Sequence, residues 1–212
     1  MSPISEDAPR LYLITPLIAD ASAFVAAFET ALGAGDIACV FLQVKAADPD
    51  GAQTIVRRLA PIAQRRGIAC LVSDPQLAAD TDADGVHIDG VGARLEAALA
   101  AMQPGRIVGA GGLKTRDEAM QAGEAGVDYL MFGGPAEQQA FANVRERVAW
   151  WAEIFSLPCV GYAQRLQDVA ELARAGADFV ALCEAVWEDP RGVAAALEAA
   201  ERMLAGAREP AA

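Results

Sequence analysis

One histidine, two lysines and four cysteines are the chain's whole stock of imidazole, amine and thiol groups in 212 residues. Lys45, two residues past Gln43, suits a phosphate or carboxylate as a point cation, and it also reads as a solvated loop lysine. Lys114 stands beside the start of a helical stretch and reads as a solvent-exposed charge. Asp74 ends an apolar run and precedes Pro75. It is therefore either a carboxylate for Mg2+ or a helix N-cap with proline at the first helical position. His87 has no second histidine for a relay and reads as a hydrogen-bonded core residue sooner than as a catalyst. The Gly109-Ala110-Gly111-Gly112 turn lets a backbone approach a ligand closely and offers N–H groups to an anion. Cys39, Cys70, Cys159 and Cys183 have no CxxC spacing and each sits in an apolar run, so they read as buried reduced thiols rather than a disulfide framework or zinc site. Trp150 and Trp151 follow an Arg-rich helix start at Val144 to Val148 and read as packing residues.

Eight short apolar runs must position these groups: Leu11 to Thr15, Ala38 to Val44, Ile68 to Ser73, Gly85 to Ile88, Arg106 to Ala110, Asp128 to Gly133, Cys159 to Tyr162 and Asp178 to Cys183. They are near-continuously apolar rather than alternating, as strands covered on both faces of a parallel sheet are. Stretches of helical spacing separate them, among them Pro49 to Arg66, Arg94 to Met102, Thr115 to Ala125, Leu166 to Ala175 and Gly192 to Leu204. A partial repeat recurs at Asp84, Asp128 and Asp178, each an Asp after a small or Gly residue and before a strand. This order predicts an α/β fold, a single-domain (β/α)8 TIM barrel. The rival is a doubly wound open sheet, but no G-x-G-x-x-G follows the first strand. The barrel is expected over residues 10–206, with a flexible N-terminal segment over 1–9 and a tail over 207–212.

Composition bounds the partners. The chain is 54% hydrophobic, which excludes a disordered polymer, and its formal charge of -12 argues against nucleic acid and anionic membrane surfaces. The N-terminus has no secretory apolar region, and no apolar stretch approaches the ~20 residues of a membrane span, so a cytoplasmic location is expected.

The strand ends carry a resemblance. Leu11-Tyr12-Leu13-Ile14-Thr15 resembles an LYLVT opening strand, Leu42-Gln43-Val44-Lys45 a QLREK segment, Leu71-Val72-Ser73-Asp74 an LIIND segment and Ala83-Asp84-Gly85-Val86-His87-Ile88 an ADGVHLGQED strand. Gly109-Ala110-Gly111 falls at a GVS position, Asp128 to Gly133 at DYVGVGP and Ala177 to Val186 at ADGVAVVSAI. In order and spacing these are similar to the thiamine phosphate synthase and thiazole tautomerase superfamily. The resemblance implies a (β/α)8 barrel in thiamine biosynthesis that couples hydroxymethylpyrimidine diphosphate with thiazole phosphate and releases pyrophosphate, assisted by Mg2+. It implies Gln43, Lys45, Ser73, Gly111 and Gly133 at the substrate and Asp74 on the metal. A small phosphorylated substrate or thiamine-related ligand is the implied partner, and a homo-oligomer is open.

The chain also departs from that pattern where charge matters. Lys45 stands for an Arg, Ala47 for a second cation, Ser73 for a pyrimidine-binding Asn and Gly92 for a second metal carboxylate. Gly111 stands for a Ser acting on the diphosphate, and Ala136 to Ala140 lie where a TPTK phosphate clamp is expected. Ala163-Gln164 replace a Gly-Gly, Glu184 replaces a phosphate-binding Ser, and Leu113 occupies the place of the tautomerase His. Two readings follow: a synthase-like transferase with weakened or altered activity, or a non-catalytic paralogue that binds a ligand or a protein.

Overall fold

The computed structural model describes residues 9–135, 137 and 139–207. Eight strands, β1 (Arg10–Ile14), β2 (Ile37–Phe41), β3 (Ala69–Val72), β4 (Gly85–Asp89), β5 (Ile107–Gly111), β6 (Tyr129–Phe132), β7 (Cys159–Tyr162) and β8 (Phe179–Leu182), pair in parallel and in sequence order. β1 also pairs with β8, so the sheet closes into a barrel and the open doubly wound alternative is excluded. Around it run α1 (Ala21–Leu32), α2 (Pro49–Gln64), α3 (Pro75–Thr81), α4 (Ala93–Met102), α5 (Arg116–Glu124), α6 (Phe141–Ile154), α7 (Asp168–Arg174), the short α8 (Glu184–Trp187) and α9 (Val193–Ala207). The termini expected to be flexible fall almost wholly outside the described residues.

Period-two alternation splits each strand between two cores. Leu11, Leu13, Val40, Cys70, Val86, Leu130 and Val180 face the helices, whereas Tyr12, Ile14, Leu71, Tyr129, Met131, Val160, Tyr162 and Ala181 fill the barrel. Polar side chains start the helices that follow β2, β3 and β5. Asp48 and Asp74 cap α2 and α3, each with proline next, and Thr115 forms a capping box with Glu118 on α5. Trp151 is buried against Phe155 and Phe132, and Arg116 lies 4.8 Å over the Trp150 ring, so this pair packs the outer layer.

The repeated aspartates have one job. Oδ2 of Asp84, Asp128 and Asp178 accepts the N–H of Cys70, Val108 and Cys159 respectively, each at 2.7 Å. Each Asp returns its own N–H to the carbonyl of that same residue, at 2.8, 2.8 and 3.0 Å. The carboxylate thus closes the first rung between an odd strand and the even strand after it. Asp36, before β2, holds the fourth such place and takes the Arg10 guanidinium at 2.7 Å instead. Replacing Asp128 with Ala strands the Val108 N–H and is expected to cost about 2 kcal/mol, roughly 4–8 °C in Tm. A thermal melt that moves by less than about 1 °C would contradict this rung.

Candidate functional site

In a (β/α)8 barrel the loops after the strands hold the chemistry. Here they surround a cavity of about 530 Å³ whose walls include Phe41, Gln43, Ser73, Asp89, Glu184 and Trp187. A neighbouring hollow of about 690 Å³ shares Asp89 and adds Lys114, Glu118 and Glu137. An apolar hollow of about 350 Å³ opens at the opposite, amino-terminal end of the barrel, lined by Tyr12, Cys39 and Tyr129, away from the loops that carry function in this architecture.

Of the residues singled out in the sequence, Gln43 and Ser73 meet on the wall of the first cavity. Gln43 is fixed there because its N–H donates to Oγ1 of the buried Thr15 at 3.0 Å. Lys45 is exposed beyond it, with its N–H on the Ile18 carbonyl, and is not part of that wall. Asp74 is exposed, and its Oδ1 accepts the Leu77 N–H at 2.8 Å as the N-cap of α3. Gly133 lies buried at the end of β6 with φ of 79°, where a Cβ would stand 3.0 Å from Val144 and 3.1 Å from Tyr162. Gly111 ends β5, and a Cβ there would stand 2.5 Å from His87 Nε2.

His87 is part of a buried polar chain along the barrel axis. Its Nδ1 lies 2.8 Å from the Tyr129 hydroxyl, which lies 2.9 Å from that of Tyr12. Its ring stacks on Tyr129 at 5.7 Å and tilts against Phe41 at 5.2 Å. On the other side, Nε2 stands 3.7 Å from Oδ1 of Asp89, beyond hydrogen-bond reach. Burial pulls the imidazole down to about 4, against the opposing pull of Asp89, so the ring is neutral at pH 7. A neutral ring facing a carboxylate keeps its proton on Nε2, which leaves Nδ1 to accept from Tyr129. Burial likewise raises Tyr12 and Tyr129.

The carboxylates of the mouth have few cationic partners. Glu184 faces the cavity and accepts a hydrogen bond from the Tyr162 hydroxyl, a phenol raised by burial first and by this contact second. The loops after strands seven and eight are where barrels of this kind most often take phosphate. Here they bring Glu184, Gln164 and an Arg165 that is tied to Asp168 at 2.8 Å. Glu137 is raised by burial and then by Asp89. Burial lifts Cys183 to about 12, so it is no nucleophile at neutral pH, and all four thiols are unpaired. Leu113 is buried, so no side chain of the tautomerase kind stands after β5.

Among the described residues no ready three-ligand Mg2+ site is assembled. Asp74 spends one oxygen on its cap, Gly92 has no side chain, and no group of three His, Cys, Asp or Glu among the described residues is placed to hold a metal ion. The Ala136–Gln138 neighbourhood lies partly outside the described residues.

These features define a (β/α)8 barrel with adjoining cavities at the carboxyl ends of its strands. The family model for thiamine monophosphate synthase matches residues 11–186, and the chain belongs to that family. It is 39% identical to a thiamine-phosphate synthase of Rhodospirillum centenum over 93% of this chain and 98% of that one. It is 36% identical to one of Hyphomonas neptunium, over 90% and 91% respectively. In fold it is similar to a thiamine phosphate pyrophosphorylase from Pyrococcus furiosus, with a TM-score of 0.78, 22% identity and coverage of 96% and 98%. Among the described residues no helix is long and apolar enough to cross a membrane.

Proposed function

We propose that this chain works in the cytoplasm, in thiamine biosynthesis, as a barrel that binds a thiamine-related ligand at its carboxyl-end mouth. The family's coupling of hydroxymethylpyrimidine diphosphate with thiazole phosphate is, on this reading, strongly slowed. Similarity to chains named thiamine-phosphate synthase over nearly the full length supports the pathway. Gln43 and Ser73 orient the ligand from the cavity wall.

Glu184 carries the reading of slowed coupling. Departure of pyrophosphate builds negative charge, which a site stabilises with cations and N–H donors aimed at it. A carboxylate about 4 Å from a phosphate opposes that charge by roughly 4 kcal/mol at an effective dielectric near 20. Glu184 is exposed, and screening reduces this to about 2 kcal/mol, or roughly thirtyfold in rate.

The test mixes purified protein with both substrates and Mg2+ and follows thiamine phosphate by chromatography, beside the Rhodospirillum centenum relative. The expected rate is at least about thirtyfold below that relative, and Glu184→Ser is expected to recover roughly tenfold. Turnover equal to the relative's, abolished by Asp74→Ala and Lys45→Ala, would show an intact synthase instead.

A further inference from the structure

The geometry points to a second ligand site, independent of the mouth: the hollow at the amino-terminal end of the barrel takes an uncharged one- or two-ring aromatic molecule that donates a hydrogen bond to Tyr12. Arg10, Ala69 and Ile107 open β1, β3 and β5, Pro158 leads into β7, and together they floor this end. Arg10 is the one long side chain among them, and its guanidinium is spent at the edge on Asp36, at 2.7 Å, and on the Ile37 carbonyl. Ala69 supplies only a methyl group. The floor therefore stays open, and about 350 Å³ is left beneath the inner rings. One layer further in, Gly109 has no side chain, and the Tyr129 ring lies where a Cβ would stand 2.0 Å from its Cζ. Tyr129 and Tyr12, with ring centroids 5.9 Å apart, roof the hollow across the axis.

The lining selects what enters. A buried water needs roughly two to four polar partners, and Leu71, Val160 and Phe179 offer none. An apolar cavity of roughly 150 Å³ already takes benzene, so this larger one has room for a second fused ring. Arg10, the only cation in the lining, is neutralised by Asp36, and Asp128 stands in the same lining, so an anion gains nothing there.

The polar contact follows from the direction of the axial hydrogen-bond chain. His87 Nδ1 accepts from Tyr129 at 2.8 Å, so the Tyr129 oxygen accepts from Tyr12 at 2.9 Å. The Tyr12 proton is thus committed. Its oxygen ends the chain as an acceptor, with the Cys39 thiol, a weak donor, beside it in the same lining. A ring N–H or O–H is a stronger donor than that thiol and completes the chain. Because each bond in such a chain polarises the next, the occupant is felt at His87, the one imidazole of the protein.

Isothermal titration calorimetry on the full chain tests this with indole, with 1-methylindole, which lacks the donor, and with anionic indole-3-acetate. Indole is expected to bind about fivefold tighter than 1-methylindole and at least about tenfold tighter than indole-3-acetate. In Tyr12→Phe, with unfolding measured alongside, the preference for indole over 1-methylindole is expected to fall below about twofold. Proton NMR of the natural chain places the ligand without any variant. Indole is expected to show nuclear Overhauser contacts with the Tyr12 and Tyr129 rings and to shift the His87 Hε1 signal. Contacts with Trp187 instead put the ligand in the mouth and overturn the inference. Absence of indole binding, either analogue bound as tightly as indole, or an unchanged preference in Tyr12→Phe overturns it as well.

Discussion

Gly85→Ala is expected to destabilise the barrel by more than about 3 kcal/mol, enough to remove a large share of a typical 5–15 kcal/mol stability. A Cβ at this position would stand 2.0 Å from the Ile107 carbonyl oxygen, 2.7 Å from its carbon and 2.8 Å from its Cα. All three are backbone atoms of the adjacent strand, so no rotamer change relieves the clash. Gly85 pairs with Ile107 in the β4–β5 ladder, directly beside the Asp84 rung to Cys70. Separating the two strands enough for a methyl group would strain both contacts. Gly105→Ala is the control, since a Cβ there meets nothing within 4 Å. Urea unfolding measures both variants. A Gly85→Ala loss below about 1 kcal/mol would mean that the strands shift more freely than a close-packed barrel allows.

The same local geometry explains what the sequence reveals and what it hides. All eight strands are legible because each is a short apolar run between Gly, Pro or Asp, and the repeated Asp marks the starts of β4, β6 and β8. Asp36 belongs to the same set but escapes the pattern, since its carboxylate serves Arg10 rather than a backbone N–H. The second apolar run extends to Val44, whereas β2 stops at Phe41; Leu42 and Val44 on either side of Gln43 stay apolar because they turn over the barrel mouth, where Val44 bridges to Ile18. Helix α3 has seven residues, too few for a helical period, and only Asp74-Pro75 announces it. Helix α1 is carried by a cap at Asp20 and by buried Phe28, Ala31 and Leu32 in an Ala-rich stretch.

The site divides along the same line. Gln43, Ser73 and Glu184 stand at strand ends, and position along the chain is enough to find them. The Tyr12–Tyr129–His87 chain joins residues 117 and 42 positions apart through the barrel axis, and no local motif encodes it. Alternation on β6 is the signal that was available. Tyr129 and Met131 point inward while Leu130 and Phe132 point to the helices, so a tyrosine at the first position of that strand must put its hydroxyl inside. Trp187 is likewise hidden, because the four residues of α8 carry no periodicity.

That buried chain makes stability depend on pH, with a definite sign. His87 is held at about 4 in the folded protein, against roughly 6.5 when unfolded. Between those values the unfolded chain binds a proton that the folded chain refuses, so stability is full above about pH 6.5 and falls as pH drops toward 4. At pH 4.5 the loss from this group is about 2.5 kcal/mol. Charging the ring also puts a proton on Nδ1, which can then no longer accept from Tyr129, and the Tyr129–Tyr12 bond must reverse to match. Desolvation opposes the charged ring, with Asp89 at 3.7 Å as the one nearby group that favours it. Carboxylates as a class also take up protons in acid, so the informative quantity is a difference. His87→Gln keeps a polar group near Tyr129 and removes the titration. Urea midpoints for both proteins at pH 7 and pH 4.5 should show the natural chain losing about 2.5 kcal/mol more than the variant. Equal losses would mean that His87 gains its proton without disturbing the fold. The imidazole would then take up its proton from solvent through the Nε2 edge that faces Asp89.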